Sequence, residues 1–281
     1  MEEGRQKNYH KALVMFIDIL GSQNKMSFQE LYEINNAFHS LFNENSKNDK
    51  EHIVYKRTIH TFSDCAYIIY DFKDNVPEEK KHLGKLFEVA LCNCDHLFIQ
   101  FLNKNFIFRG GVAYGDIYYE KDRSILFGPA VNKAYSLENN VAIYPRIVVD
   151  NFVAEELLNY WNNEIPQLDD IEIKTDSKSY YISSAEFKDI QGYNIKKDFD
   201  GMYMVHYLNS IETNVGNSAF IGKTNQEFVN SLIEFCDQQI IENSSNPHIT
   251  QKYEWLLNYI YATVNNANWH LDLMDYLEEK E

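Results

Sequence analysis

The 281-residue chain carries 42 Asp and Glu against 26 Lys and Arg, a formal net charge of −16 and a pI near 5.0. That balance excludes an electrostatic grip on DNA, RNA or an anionic membrane surface, all of which need clustered cations. Four cysteines, Cys65, Cys92, Cys94 and Cys236, show neither CxxC nor Cys/His metal spacing, and no secretory signal or long apolar span occurs. The expectation is a cytoplasmic protein with a reduced interior, one large domain or a domain with an appended region, and neither nucleic acid nor membrane as partner.

Ala12 to Ile17 is a continuous apolar run, the pattern of a strand covered on both faces. Phe28, Leu31, Ile34, Phe38 and Leu41 then recur at helical spacing. Residues 53 to 59 and 65 to 72 are β-rich and flank Phe62-Ser63-Asp64, which predicts a hairpin with Asp64 at its tip. Leu83 to Leu102 has one apolar helix face, too narrow for Cys92 and Cys94, two apart, to share. Phe106 to Tyr114 reads as a strand that Asp116 to Glu120 continues. Pro129 to Glu138 reads as a short helix and Arg146 to Val149 as a strand. The order β-α-β-β-α-β is that of a ferredoxin-like α/β (α+β) core. Beyond residue 150, segments 171 to 185 and 201 to 208 add strands, while 223 to 242 and 249 to 267 are helical. The expected division is a catalytic domain over 1 to 210, with its core at 11 to 150, and a C-terminal helical appendage over 211 to 281 in which Tyr253, Trp255 and Tyr259 pack.

Two apolar strands each present a carboxylate at one end, Asp18 and Asp64. In a ferredoxin-like sheet the first strand lies beside the hairpin, so the two can meet, and they repel unless a cation lies between them. Hard oxygen ligands select Mg²⁺ or Mn²⁺. The turn Ile19-Leu20-Gly21-Ser22 leads toward a helix near Ser27, and backbone N–H groups in such a turn can hold phosphate oxygens. A cation beside a phosphate cradle points to nucleotide chemistry. Taken singly, Asp18 is a helix-entry residue and Asp64 a turn residue; taken together they form a site.

These residues resemble the class III nucleotidyl cyclases. That family's first strand ends in a motif like Phe16-Ile17-Asp18-Ile19-Leu20-Gly21, and its second metal aspartate sits in a hairpin like Phe62-Ser63-Asp64. Arg109-Gly110-Gly111 is similar to its Arg-x-Gly strand, whose arginine touches the triphosphate. Phe127-Gly128-Pro129-Ala130-Val131-Asn132-Lys133-Ala134 is similar to its Gly-x-x-Val-Asn-x-Ala helix, whose asparagine orients the ribose. Four motifs in order cover roughly residues 11 to 150. The resemblance implies two divalent ions held by Asp18, Asp64 and the Ile19 backbone, and a triphosphate held by Phe16, Ile19, Leu20, Gly21, Ser22 and Arg109. It further implies a homodimer in which Asp18, Asp64 and Arg109 of one subunit face Asn132 of the other.

Two positions depart from the family. Its usual arginine four residues after the asparagine is Ser136 here, so transition-state charge falls to the metals, Arg109 or a lysine such as Lys133, Lys174 or Lys178. Its adenine-reading lysine and aspartate correspond to His60 and Ile125, which disfavours a purine; His60 alone is as consistent with a hydrogen-bonded structural histidine. This combination resembles the pyrimidine cyclases of bacterial Pycsar anti-phage systems, whose cyclic nucleotide product is read by a separate effector protein and whose base pocket is narrowed by a bulky aromatic. Tyr55 is one candidate for that aromatic, although strand alternation places it opposite Asp64 unless a bulge intervenes; Phe62 is the other. UTP is favoured over CTP on family prevalence. A purine cyclase that reads its base through backbone groups, and a catalytically dead nucleotide sensor, are the other readings.

Overall fold

The computed structural model describes residues 8–21, 27–47, 53–120, 123–174, 179–214, 221–267 and 269. Strand β1 (His10–Ile19) is buried on both faces: Leu13, Met15 and Ile17 look into one core, Ala12, Val14 and Phe16 into another. Its neighbours are β3 (Cys65–Phe72) and β4 (Phe108–Glu120), both antiparallel to it. With β2 (Tyr55–Phe62), helix α1 (Phe28–Lys47) and helix α2 (Leu83–Asn103), they give the order β2-β3-β1-β4 within an eight-stranded sheet, the expected ferredoxin-like arrangement. The segment 116 to 120 does continue β4, as one strand of 13 residues.

The sheet extends beyond that core. β6 (Ile147–Val149) pairs in parallel with β4, then β10 (Tyr203–Val205) and β9 (Ile195–Lys197) complete the edge, and β5 (Ile125–Phe127) pairs with the far end of β4. The stretch 171 to 185, expected to add strands, does so as a separate hairpin of β7 (Ile171–Lys174) and β8 (Ser179–Ile182), followed by α5 (Ser184–Gln191). A Ser183–Glu186 capping box ends the strand pattern there, because it satisfies the free N–H groups of a new helix. Helix α4 (Asn151–Asn159), which no motif announced, follows β6.

Helices α1 and α2 cover one face of the sheet, and α3 (Pro129–Asn140) covers the other through Ala130, Val131 and Ala134. α3 lies so close to β4 that a Cβ on Gly111 would meet the Ala134 carbonyl oxygen at 2.2 Å; this contact needs a glycine. After the short helix α6 (Asn209–Glu212), the C-terminal helices α7 (Asn225–Glu242) and α8 (Pro247–Asn266) send Phe228, Leu232, Trp255, Leu256 and Tyr259 into the same core as α2 and the sheet. Tyr259 is a packing residue with satisfied polarity: its hydroxyl meets His206 Nδ1 at 2.7 Å and accepts the Leu208 N–H at 3.1 Å. Among the described residues no helix is long and apolar enough to cross a membrane.

Candidate active site

The register of three strands builds the site. Asp18 pairs with Cys65 on β3 and with Arg109 on β4, and the two-residue turn Ser63-Asp64 sits one step beyond Cys65. Ser63 takes a positive φ of 56°, as a tight hairpin turn requires. Its carbonyl accepts Asn35 Nδ2 of α1 at 2.7 Å, and the Asp64 carbonyl accepts the Ile19 N–H at 3.2 Å. The hairpin tip is thus fastened both to α1 and to the end of β1, which holds Asp64 beside Asp18.

The electrostatics agree with that placement. Burial raises the Asp18 pKa above the ordinary carboxylate value, the Arg109 guanidinium opposes it, and the charge of Asp64 raises it further. Two carboxylates whose charges act on each other are a donor set suited to a hard divalent cation. Among the described residues no group of three or more His, Cys, Asp or Glu that could hold a metal ion is found.

Arg109 carries a partner that no motif predicts. Its Nε lies 2.6 Å from Glu138 Oε1 and 3.5 Å from Asp18 Oδ2. Glu138, on the last turn of α3, is only 2% exposed. Burial pushes its carboxyl up to about 7 against the pull of Arg109, and Asp18 adds a smaller upward contribution. A glutamate at the tenth position of a polar helix has no sequence signal for this role; only the packing of α3 onto Gly111 brings it to β4.

The phosphate turn differs in detail from the expectation. Gly21 adopts φ +84°, which favours glycine, but the Leu20 N–H already donates to the Ile107 carbonyl at 2.8 Å and the Ile19 N–H to Asp64. Gly21 is the described turn residue left to face a phosphate; Ser22 lies outside the described residues. The start of α1 is closed by its own capping box, with the Ser27 N–H donating to Glu30 Oε2 at 2.6 Å, so a carboxylate already holds the place an anion would take.

The base-pocket candidates divide by face. The bulge-free pairing of β2 with β3 puts His60 and Phe62 opposite Tyr67 and Cys65, on the Asp18 face. Tyr55 falls on the other face, half-buried against Phe72 with ring centroids 5.7 Å apart. The structure does not bring it to Asp18 or Asp64. Phe62 is 80% exposed at the tip. His60 stands edge-on to Tyr119 at 4.8 Å, and burial lowers its pKa. Ile125 is in β5, paired with Glu120 and partly buried. Phe16 supports the site from below, its ring 4.6 Å from that of Tyr67.

Asn132 and Ser136 occupy the outward face of α3, opposite the buried Ala130, Ala134 and Glu138. Within one protomer Asn132 is therefore not brought to the carboxylates. Lys133 is drawn to Asp150, its Nζ 2.6 Å from Oδ1. The side chain of Lys174 and the whole of Lys178 lie outside the described residues.

The adenylate and guanylate cyclase catalytic domain family matches residues 5–184, well over half of the chain. No curated protein matches. Among solved structures, the catalytic core of a rhodopsin-guanylyl cyclase with converted specificity, in complex with ATPαS, is 15% identical, covering 71% of this chain and 97% of that one at a TM-score of 0.41. The monomeric guanylyl cyclase domain of the RhoGC fusion protein from the aquatic fungus Blastocladiella emersonii is 16% identical over 63% and 96%, at 0.39. A bacterial light-regulated adenylyl cyclase is 12% identical over 82% and 59%, at 0.41.

The Glu138 carboxyl makes a prediction in metal-free buffer. Its pKa is about 7 in the folded protein against a reference of 4.5, so the folded state holds the extra proton between those values. The stability this group contributes is full below pH 4.5 and is lost as the pH rises through 7. Urea unfolding of the wild type and of Glu138→Gln from pH 4 to 8 should show the wild type losing stability relative to the variant over that window. A difference that is flat with pH would mean that Glu138 is ionised at Arg109 throughout.

Proposed function

The chain belongs to the adenylate and guanylate cyclase catalytic domain family, and from that membership we propose that it is a pyrimidine nucleotide cyclase. It converts UTP to 3′,5′-cyclic UMP and pyrophosphate, as a second messenger in anti-phage defence that a separate effector reads. The observation that carries the reading is the convergence of Asp18, Asp64 and Arg109 at one end of β1, β3 and β4. Two divalent cations, Mn²⁺ or Mg²⁺, fit that donor set and supply Lewis acidity toward the triphosphate and the ribose 3′-hydroxyl.

The chain's own residues position the rest. Asp18 and Asp64 fix where the polyphosphate lies, and Arg109 turns from Glu138 toward its oxygens. Asn132 of a second copy orients the ribose so that its 3′-oxygen lines up with the α-phosphorus. The 3′-oxygen-to-phosphorus bond forms as the bond to the leaving oxygen breaks; pyrophosphate departs with the electron pair, and the hydroxyl proton passes to solvent. The outward face of Asn132 and Ser136 supports a shared site in a homodimer.

Base choice follows from what the pocket lacks. His60 and Ile125 stand where adenine would need a lysine and an aspartate, and a missing hydrogen-bond partner is costly to a base that requires it. Phe62, projecting at the hairpin tip on the site face, is positioned to narrow the pocket, which Tyr55 is not. The Pycsar resemblance favours uracil over cytosine.

Incubating the protein with each of the four ribonucleoside triphosphates and Mn²⁺, then resolving products by mass, should give cyclic UMP as the main product. Cyclic AMP or cyclic GMP in excess of both pyrimidine products would overturn the base assignment. The shared site has its own test in two inactive chains, Asp64→Ala and Asn132→Ala. Mixed in equal amounts they should recover about a quarter of wild-type activity, because half the dimers are mixed and each holds one intact site. No recovery despite demonstrated subunit exchange would place the whole site within one protomer.

A further inference from the structure

Arg109 stands between two carboxylates that compete for it. Asp18 faces it across the β1–β4 pairing, with Oδ2 3.5 Å from Nε, while Glu138 on α3 brings Oε1 to 2.6 Å from the same nitrogen. Both closest contacts fall on Nε, which is buried. The arginine side chain is still 24% exposed, and among the described residues its terminal nitrogens Nη1 and Nη2 make no hydrogen bond. The planar fork that grips phosphate oxygens two at a time is thus the part of the group left open.

The fold decides which carboxylate prevails. Arg109 and Gly111 alternate onto the same face of β4, the face that α3 covers. A Cβ on Gly111 would meet not only the Ala134 carbonyl oxygen but also the Glu138 backbone nitrogen, at 3.0 Å. The last turn of α3 is therefore pinned two residues along the strand from Arg109, and the Glu138 side chain, 2% exposed, has little freedom to leave it. Without Glu138, the other carboxylate within ion-pair reach of Arg109 is Asp18. A guanidinium drawn onto Asp18 covers an oxygen that a cation needs and carries its fork away from a phosphate beside that cation.

We propose that Glu138 is a positioning residue for polyphosphate binding: it holds Arg109 by Nε, clear of Asp18, so that Nη1 and Nη2 are presented to the polyphosphate and Asp18 stays open to a cation. This assignment rests on the nucleotidyl cyclase reading above. Glu138 touches no substrate and acts only through Arg109. The turn of Arg109 toward the phosphate oxygens is then a swing of the two terminal nitrogens about an Nε that Glu138 retains. Such a support matters because a displacement of about 1 Å in a binding group costs on the order of a hundredfold in rate. It also gives the close approach of α3 to Gly111 a purpose beyond packing, since any side chain there lifts Glu138 away from Arg109.

The test uses inorganic tripolyphosphate with Mn²⁺ as probe, measured by calorimetry on the 281-residue chain, beside steady-state cyclisation of UTP. Glu138→Leu fills similar space without an acceptor and should weaken tripolyphosphate binding about tenfold and lower kcat/KM by up to about a hundredfold. Glu138→Gln keeps an oxygen for the Nε–H and should bind within about threefold of wild type. Glu138→Asp keeps the charge but draws it back by one methylene; it should lose most of what the leucine chain loses, and it carries the test if that chain does not fold. The deciding comparison is made in an Arg109→Ala chain. There, adding either Glu138→Leu or Glu138→Asp should change binding by less than about twofold, because a residue that acts through Arg109 has nothing left to position. An equal loss in both backgrounds would make Glu138 a helix anchor only and overturn the proposal, as would binding within about twofold of wild type in the leucine and aspartate chains. If instead the wild type cyclises no nucleotide yet shows the same Arg109-dependent effect of Glu138 on tripolyphosphate, the cyclase reading fails and the positioning role stands.

Discussion

The site depends on the register of β1 against its two neighbours. β1 is buried on both faces, so each of its side chains has a fixed destination, and sliding it by one residue would exchange the two cores. In the register that satisfies both, Asp18 falls opposite Arg109 on one side and Cys65 on the other, one step from the hairpin turn with Asp64. The hydrophobic demand of Leu13, Met15 and Ile17 on one face and Val14 and Phe16 on the other therefore positions a charge that contributes nothing to either core. The cost of that positioning is visible in the raised Asp18 pKa, which burial and Asp64 drive upward against Arg109.

The ferredoxin-like order and the meeting of Asp18 with Asp64 were legible in the sequence because both arise from local patterns: apolar runs of strand length, helical periods and a tight turn. Alternation likewise separates Phe62 from Tyr55, because no bulge interrupts the β2–β3 pairing. What was not legible comes from contacts distant in sequence. Glu138 reaches Arg109 only because α3 sits directly on Gly111, and α8 is fixed there only because Trp255 finds Tyr144 and Asp198 across more than fifty residues of chain. The strand-like stretch at 171 to 185 was legible as strands, but its partner was not. Its β-rich residues do form strands, but they pair with each other and leave the sheet edge to β9 and β10.

The buried Arg146 links these pieces. It answers Asp198, Asp200 and the Val141 carbonyl while its own backbone carries the ladder bond to Gly110. A buried guanidinium whose two terminal nitrogens meet several acceptors holds those acceptors in place, whereas the same guanidinium with a partner removed is strongly destabilising. The loop after α3, the β9–β10 edge and α8 are thus tied to one another at the end of the sheet where the carboxylates sit. The geometry of the site is consequently set by residues spread from Asp18 to Trp255, and the C-terminal helices are part of what holds it.

The most direct test of the paired carboxylates is Mn²⁺ binding followed by electron paramagnetic resonance in the presence of UTP. The strand register predicts that the wild type binds Mn²⁺ and that Asp18→Asn and Asp64→Asn each weaken binding by at least about tenfold, since each removes one of the two carboxylate ligands of a shared site. Binding in both variants that matches the wild type would mean that these two aspartates do not form a cation site, however close the fold brings them.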